Sequence, residues 1–371
     1  MTMEEVKKLQ VTYNGRNVGV LAALDEGIAF QYDAEWLNCG FSVSPISLPL
    51  TGQVMICAKS TFDGLYGVFA DSLPDGWGAL LMSRMLAKRG VNYERLSPLT
   101  KLALTGTSGR GALEYFPDLS ECETSAADLD ELARISASVE KGRESGDLDK
   151  LFIAGGSSGG TRPKAHIRKD GKEWIVKFPC RIDPPDMGVR EYQANVCAQK
   201  CGLRVNGFAL FPSKRCSGYF GAERFDRCGA RRVHTVSLSS LLETSHTLPN
   251  LDYMHLYRVA LALGCDKEEE YEIYARACFN VFYGNKDDHG GNFSFIFDER
   301  RGKYALSPAY DLTHTPNMAE HEMTVMGNGK PEEKDLRAFA KEMGLSSSRS
   351  AAVTEKIKAV CAQYKAGKRA F

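Results

Sequence analysis

The chain has 371 residues, about twice the usual length of one domain, which predicts two domains or a bilobal fold. Apolar residues make up 43% and charged residues 25% of the sequence, a globular composition that excludes wholesale disorder. Lys plus Arg and Asp plus Glu total 47 each. This neutral balance argues against direct nucleic-acid binding and against membrane adsorption through bulk charge.

The 11 cysteines show no spacing typical of a disulfide framework. Cys197 and Cys201 are close in sequence, but no second pair or neighbouring histidine completes a zinc set. We therefore expect reduced thiols that pack as small apolar side chains in a cytoplasmic protein. The N-terminus lacks the order of a signal peptide, and no apolar run reaches the roughly 18 residues of a membrane span.

The first hundred residues predict short strands and turns. The segment 11–21 indicates a hairpin, because Asn14-Gly15 is a favoured two-residue turn. A stretch rich in glycine and proline, 64–76, then leads into helical spacing over 78–88, and Asp75 stands where it can cap that helix.

Acidic residues dominate 118–148, where we place a domain boundary. Within this segment Leu129, Leu132, Ile135 and Val139 recur at steps of three and four, which predicts a helix. The acid excess favours a solvated face over a binding site. Beyond it, the sequence predicts strands around Asp170-Gly171, a helix ending at Gly202, further strands, a mostly helical stretch over 254–284, a second hairpin and a helical C-terminus.

A glycine-rich stretch offers an anion cradle, because glycine lets backbone N–H groups approach phosphate oxygens closely. Its residues are Gly155, Gly156, Ser157, Ser158, Gly159 and Gly160. It lacks the lysine of a P-loop, and a flexible surface loop is the alternative. A strand follows, and then a second strand carries Lys177, which suits a phosphate; Glu191 on the next helix is its candidate partner. The alternative for Lys177 is a solvated lysine at a strand edge.

A polar loop follows the mostly helical stretch. Asp287 and Asn292 stand five residues apart, the interval of a kinase catalytic loop. In this interpretation Asp287 accepts the proton of the attacking hydroxyl and Asn292 holds magnesium. The hairpin then returns the chain, so that Asp311 supplies the second metal ligand. His289 is interpreted as orienting the loop by hydrogen bonds rather than as ligand or base, and Asp288 as facing solvent or as an N-cap.

The strand around 219–226 has two interpretations. Backbone groups from Glu223 to Phe225 can contact adenine, with Phe225 as a wall for the base. The alternative is a linking strand with an Arg–Asp pair.

The chain resembles the HipA-like serine/threonine kinases, the toxin halves of bacterial toxin–antitoxin pairs. The motifs that carry the resemblance run in order from about residue 10 to residue 315: GVFADSLPDGWGALL, SSGGTRPKA, VKFP, ERFDR, GNKDDHGGNFSFIF and LSPAYDLT. The resemblance implies an α+β fold with a small β-rich N-terminal subdomain over 1–117, the acidic helical linker over 118–148 and a bilobal kinase core over 149–371. The N-lobe would end near 226, and a mostly helical C-lobe would cover 227–371.

The resemblance also implies ATP and Mg²⁺, with Asp287 as base, Asn292 and Asp311 as metal ligands, and Lys177 on the phosphates. It adds the glycine-rich stretch and Lys164 to the phosphate contacts and assigns adenine contacts to Glu223 and Phe225.

Family members inactivate themselves by phosphorylating a serine of the glycine-rich loop, for which Ser157 and Ser158 are the candidates here. Their substrates are translation components, typically an aminoacyl-tRNA synthetase, and a separate helix-turn-helix DNA-binding antitoxin neutralises them. Two alternatives stay open at this point: a catalytically weak corepressor partner of such a DNA-binding protein, and a small-molecule kinase.

Overall fold

The computed structural model describes residues 4–57, 61–121, 128–141, 148–155 and 160–365. The chain folds into two compact units. The first comprises 1–188, 209–236 and 240–245, and the second comprises 189–208, 237–239 and 246–371. None of the described helices is long and apolar enough to cross a bilayer.

The first unit begins with a five-stranded antiparallel sheet. Its strands, in spatial order, are Met55–Ile56, Gly27–Tyr32, Arg16–Leu24, Lys8–Tyr13 and Leu113–Phe116. The predicted hairpin is present, and its turn residues Asn14 and Gly15 both have positive φ, 48° and 78°. This is the backbone of a tight hairpin turn, which asparagine and glycine adopt at low cost.

In chain order, the helices of the first unit lie after the third, fourth and fifth of these strands. They are Ala34–Cys39, Gly67–Ala70, Gly76–Lys88, Pro98–Thr105, Leu129–Glu140 and Leu148–Gly155, with a 3₁₀ turn at Tyr93–Arg95. The helix predicted within the acidic segment is Leu129–Glu140. Its buried Leu132, Ile135 and Val139 join a core with Leu151 and Val176, so the apolar stripe packs as its spacing indicated.

One acidic side chain of this helix has protein partners. The Asp130 carboxylate accepts hydrogen bonds from Ser213 Oγ at 2.7 Å, Lys214 N at 2.9 Å and Tyr219 Oη at 2.7 Å. The helix is thereby tied to the loop and strand that run from Ser213 to Tyr219.

A second sheet of the first unit has four strands, in the order Lys164–Lys169, Lys172–Lys177, Tyr219–Glu223 and Phe208–Phe211. The first two form the hairpin predicted around Asp170-Gly171, whose φ angles are 53° and 74°. Short elements follow at Arg227–Cys228, Arg231–Arg232, Thr235–Ser237 and Leu238–Leu241.

The second unit is mostly helical. Its main helices are Met187–Cys201, which begins at the end of the first unit, Tyr253–Ala262, Lys267–Tyr283, Glu333–Glu342 and Ser347–Lys365. Its strands are the hairpin Ser294–Asp298 and Lys303–Leu306 and the parallel pair Leu251–Asp252 and Met323–Thr324. Both units combine helices with sheet, which confirms the predicted α+β class.

Helix Lys267–Tyr283 is central to the second unit. It begins at Asp266, whose carboxylate accepts a hydrogen bond from Glu269 N. Three glutamates in its first turn interact favourably with the positive end of the helix dipole. It ends at Gly284, which takes the left-handed conformation with φ 81°. This sharp ending starts the polar loop that contains Asp287. The boundaries proposed at 117 and 148 stay predictions.

Candidate active site

The polar loop after helix Lys267–Tyr283 is closed by its own hydrogen bonds. Asn292 Nδ2 donates to the backbone oxygen of Asp287 at 2.8 Å. His289 caps the 3₁₀ turn Gly290–Asn292, because its Nδ1 accepts from Gly291 N at 3.1 Å. The structure therefore brings Asp287 and Asn292 together, with His289 in a contact of the kind that an orienting role requires.

Asp287 presents its carboxylate outward. Its side chain is 50% exposed, and its Oδ1 lies 3.9 Å from His289 Nε2. A carboxylate held in this way is accessible to a hydroxyl from outside the protein, which is what a general base requires.

The chain returns to this loop just before Asp311. The hairpin closes with a bond from Ser307 N to Ser294 O at 2.8 Å. Tyr310 Oη then lies 2.6 Å from Gly291 O, to which it donates, and 2.7 Å from Ser294 Oγ. The residue before Asp311 is thus bonded to the residue before Asn292. The predicted placement of Asp311 itself beside Asn292 stays a prediction.

Asp311 itself has positive φ, 57°. This conformation is uncommon for a residue other than glycine, and such backbone is concentrated at functional sites. A small cavity is lined by Asn285, Asp288, Asn292, Tyr310 and Leu312, so both segments face the same space.

The expectation that Asp288 faces solvent or caps a helix is wrong. Its side chain is fully buried, and Oδ2 accepts from Tyr253 Oη at 2.8 Å and lies 2.9 Å from His321 Nδ1. Oδ1 accepts from the backbone N–H groups of Glu322 at 3.1 Å and Met323 at 3.4 Å. A buried carboxylate needs such donors, so Asp288 holds the loop in place from behind.

The hydrogen bonds around Asp288 extend to residues of two helices. Asn280 Nδ2 donates to Tyr253 Oη at 2.7 Å, and Asn285 Nδ2 donates to Asn280 Oδ1 at 3.0 Å. Burial and the Asp288 carboxylate raise the pKa of Tyr253 well above its ordinary value, so its hydroxyl stays a donor. The network fixes Asp288, and with it the backbone on which Asp287 stands.

The predicted phosphate contacts lie in the first unit. Lys164 and Lys177 are directly opposite each other on the antiparallel strands Lys164–Lys169 and Lys172–Lys177, so they project from the same face. Lys164 is buried, and Lys177 Nζ lies 5.8 Å from the centre of the Phe220 ring. Like charges directly opposite destabilise a sheet unless something anionic joins them.

The described ends of the glycine-rich stretch lie close to Lys164. A Cβ at Gly155 would lie 2.5 Å from Lys164 O, and one at Gly160 would lie 2.6 Å from Lys164 Nζ. Gly160 also has φ 87°, which only glycine adopts readily. Gly156, Ser157, Ser158 and Gly159 are outside the described residues.

Asp75 occupies the N-cap position of helix Gly76–Lys88, but its carboxylate makes no cap bond there. It accepts instead from the backbone N–H of Gly160, and Trp77 N donates to Gly160 O at 3.0 Å. Gly76, with φ 43°, permits this approach, since a Cβ there would lie 2.7 Å from Gly160 O. The sequence DGWG therefore fixes the end of the glycine-rich stretch.

The segment predicted to contact adenine forms ion pairs with neighbouring side chains. Glu223 pairs with Lys172 at 2.9 Å. Next to it, Asp226 accepts from Arg224 at 2.7 Å, from Arg227 at 3.0 Å and from Gly111 N at 2.8 Å. Burial alone would raise the pKa of Asp226, but the two arginines hold it well below its ordinary value. The Arg–Asp pair of the alternative interpretation is thus present.

Two predicted roles stay predictions. Glu223 and Phe225 lie at the end of strand Tyr219–Glu223 and just beyond it, and their contact with adenine is untested. Glu191 is buried on helix Met187–Cys201 in the second unit, whereas Lys177 belongs to the first.

The residues present suit magnesium and phosphate. Asn292 donates an amide N–H to the backbone oxygen of Asp287, so its amide oxygen is a candidate metal ligand. Asp311 offers a carboxylate. Oxygen donors of these two kinds are what magnesium prefers. Lys164 and Lys177 supply the positive charge that phosphates require.

Two family models match this sequence. The HipA-like C-terminal domain matches residues 156–366, and the HipA N-terminal domain matches residues 9–116. The chain belongs to the HipA family. The family predicted from the motifs is therefore confirmed.

Individual relatives of this HipA family member are distant. A putative kinase Y4dM of Sinorhizobium fredii is 28% identical over 200 residues, which cover 50% of this chain and 48% of that protein. The chain thus spans about half the length of this curated relative.

Two solved structures are similar. HipA from Shewanella oneidensis MR-1, in a complex with HipB and its operator DNA, has a TM-score of 0.73 at 19% identity, covering 96% of this chain and 89% of that one. The Helicobacter pylori proinflammatory kinase CtkA has a TM-score of 0.38 at 14% identity, covering 55% of this chain and 90% of its own. The first confirms that the chain has the HipA fold.

Sequence reasoning missed three residues that hold either the polar loop or the glycine-rich stretch of this HipA protein in place. Tyr253 and His321 bind Asp288 from positions 35 and 33 residues away, and no spacing signals such contacts. Asp75 binds Gly160 across 85 residues. The family-specific motif around Asp75 was visible, but its chemical purpose becomes clear only from the fold.

Proposed function

We propose that this HipA protein is an ATP- and Mg²⁺-dependent serine/threonine protein kinase. The observation that carries the proposal is the polar loop itself, in which Asp287 and Asn292 are hydrogen-bonded together and the segment before Asp311 is bonded to the same loop. This is the set of groups that phosphoryl transfer requires: a base and two oxygen ligands for a metal ion.

The roles follow from the chemistry of each group. Asp287 accepts the proton of the attacking hydroxyl. The buried Asp288 network fixes the backbone of the loop and so keeps the Asp287 carboxylate in position. Asn292 and Asp311 hold magnesium, which neutralises charge on the phosphates when it is bound. Lys164 and Lys177, with the glycine-rich stretch, hold the phosphates of ATP, and Glu223 and Phe225 contact adenine.

The biological setting is a toxin–antitoxin pair in the cytoplasm. A separate helix-turn-helix DNA-binding antitoxin is the partner, and the similar fold of a HipA solved with HipB and operator DNA supports this assignment. The neutral charge of the chain fits a protein that leaves DNA contact to its partner. The substrate is a translation component such as an aminoacyl-tRNA synthetase.

Activity is limited by phosphorylation of the chain itself at Ser157 or Ser158. A phosphate there adds about 1.5 to 2 negative charges where ATP phosphates must bind. It also competes for the backbone N–H groups of the glycine-rich stretch. The phosphorylated form is therefore inactive.

One experiment tests these points together. The purified chain and its Asp287→Asn variant are incubated with labelled ATP and cell lysate, with Mg²⁺ or with EDTA. Mass spectrometry then identifies phosphorylated proteins and sites. We expect labelled serine or threonine on a translation component and on Ser157 or Ser158, only with Mg²⁺ and only with the parent chain.

Other outcomes would overturn the proposal. Label on a small molecule alone would indicate a small-molecule kinase. No label under any condition, with ATP binding intact, would indicate a corepressor without catalysis.

A further inference from the structure

Three cysteines of the second unit converge on one point. Cys197 and Cys201 lie one turn apart on helix Met187–Cys201, and Cys361 lies on helix Ser347–Lys365. The sulfur of Cys361 is 4.0 Å from that of Cys197 and 4.0 Å from that of Cys201, and all three sulfurs lie within 4.8 Å of one another. As whole residues, Cys197 is 0% exposed, Cys201 5% and Cys361 1%.

The sequence predicted reduced thiols that pack as small apolar side chains, and these three are indeed free and buried, but they also converge. The third thiol comes from a helix more than 150 residues away in sequence, and the sulfurs of both helices face each other. A metal bound through three coplanar thiolates at about 2.3 Å requires sulfur separations of about 4.0 Å. The two separations to Cys361 therefore already match that geometry.

The donor set selects the kind of cation. Among the residues that the structure describes, the group consists of three sulfurs and includes no histidine or carboxylate. Soft thiolate ligands favour Cu(I), zinc and iron–sulfur clusters. Structural zinc and iron–sulfur clusters almost always take four protein ligands, so a set of three thiolates fits Cu(I) best. The burial of all three sulfurs leaves little access for a water molecule as fourth ligand.

We propose that Cys197, Cys201 and Cys361 form a three-thiolate site for Cu(I). Each coordinating thiol releases its proton to water, so the bound cluster carries a net charge of about −2. Cys201 is the last residue of its helix and Cys361 is close to the end of the other, where helices open most easily.

The bound ion would link helix Met187–Cys201, which carries Glu191, to helix Ser347–Lys365. A ligand that binds only the folded chain raises its melting temperature. At a hundredfold excess over the dissociation constant, we expect a rise of about 3 °C or more.

The test uses the full chain, reduced and free of oxygen. Cu(I) is titrated against the chromophoric competitor bicinchoninate, and X-ray absorption reports the ligands of the bound metal. We expect one tight equivalent with three sulfur ligands at about 2.3 Å. Cys197→Ala, Cys201→Ala and Cys361→Ala should each weaken this site at least tenfold, because each removes a ligand.

Two controls separate this site from other thiols. Cys278 is also buried and contacts Thr354 on helix Ser347–Lys365, so Cys278→Ala tests whether any buried cysteine suffices. A double variant of the exposed cysteines, Cys39→Ala with Cys228→Ala, tests adventitious binding at the surface. Both controls should keep the tight equivalent.

Several results would overturn the proposal. They are the absence of a tight equivalent, its survival in Cys361→Ala, its loss in either control, a two-sulfur or nitrogen-containing ligand set, and a stronger preference for Zn²⁺. The absorption spectrum of the parent chain decides the matter even if a cysteine variant fails to fold.

Discussion

Asp287 and Asp288 are neighbours in sequence with opposite environments. The first is half exposed, and the second is fully buried under Tyr253 and His321. The two neighbouring side chains point in different directions. The Asp287 carboxylate is accessible from solvent, whereas the Asp288 carboxylate holds the backbone of the loop through its hydrogen bonds.

Asp287→Asn should leave ATP binding nearly intact and slow phosphoryl transfer by about 10² to 10⁴, the usual contribution of a general base. The amide keeps the size of the side chain but cannot accept the proton. Calorimetry with ATP and Mg²⁺ and a single-turnover assay measure the two effects. Asp298→Asn, which changes an aspartate of the neighbouring hairpin, is the control and should keep the parent rate. A wild-type rate in Asp287→Asn would remove Asp287 from the role of base.

Asp288→Asn should lower the free energy of unfolding by about 1 to 3 kcal/mol. The new amide NH₂ would face one of the donors that now bind the carboxylate, so a buried polar group would lose its partner. Urea unfolding of this variant, of Asp287→Asn and of the parent measures the difference. Equal stability of all three proteins would show that the buried network does not fasten the loop.

At the level of secondary structure, the polar loop and the end of the glycine-rich stretch each depend on where a helix ends or begins. Helix Lys267–Tyr283 ends at Gly284, where the polar loop that contains Asp287 begins. Helix Gly76–Lys88 begins at Asp75, whose carboxylate binds the end of the glycine-rich stretch. An ordinary helix start is therefore used here to position a loop that is predicted to contact phosphate.

Asp75→Ala should weaken ATP binding about tenfold, because a hydrogen bond to a charged acceptor contributes about 1.5 to 3 kcal/mol and its loss frees the loop end. Calorimetry with ATP and Mg²⁺ measures the affinity. Asp33→Ala is the matched control, since Asp33 caps its own helix through Glu35 N and should affect stability only. Unchanged affinity in Asp75→Ala would mean that the loop keeps its place without this anchor.

Elements that depend on local sequence could be predicted, and long-range contacts could not. The turns at Asn14-Gly15 and Asp170-Gly171 follow from residues that tolerate positive φ, and helix Leu129–Glu140 follows from its apolar spacing. The Asp287–Asn292 hydrogen bond is equally local. The burial of Asp288 depends on His321, which no short-range pattern reveals.

At the scale of the whole molecule, a buried histidine of the first unit links stability to pH. His234 is fully buried in the first unit, and its Nε2 lies 2.8 Å from Val43 O, to which a neutral ring can donate. Burial lowers the pKa of His234 to about 4. Burial also lowers the pKa of His166 well below its ordinary value, and the neighbouring Arg224 adds to the effect.

The sign of the pH effect follows from the neutral form of His234 in the folded chain. The unfolded chain takes up a proton below about pH 6.5, whereas the folded chain resists it until about pH 4, so stability falls as pH drops through this window. His234→Gln keeps an N–H donor for Val43 and cannot titrate. Between pH 7 and pH 5 the variant should therefore lose about 2 kcal/mol less unfolding free energy than the parent. Urea unfolding at the two pH values measures this difference. Identical losses in the two proteins would mean that His234 is protonated without opening the fold, and that the acid sensitivity of the first unit comes from other groups such as His166.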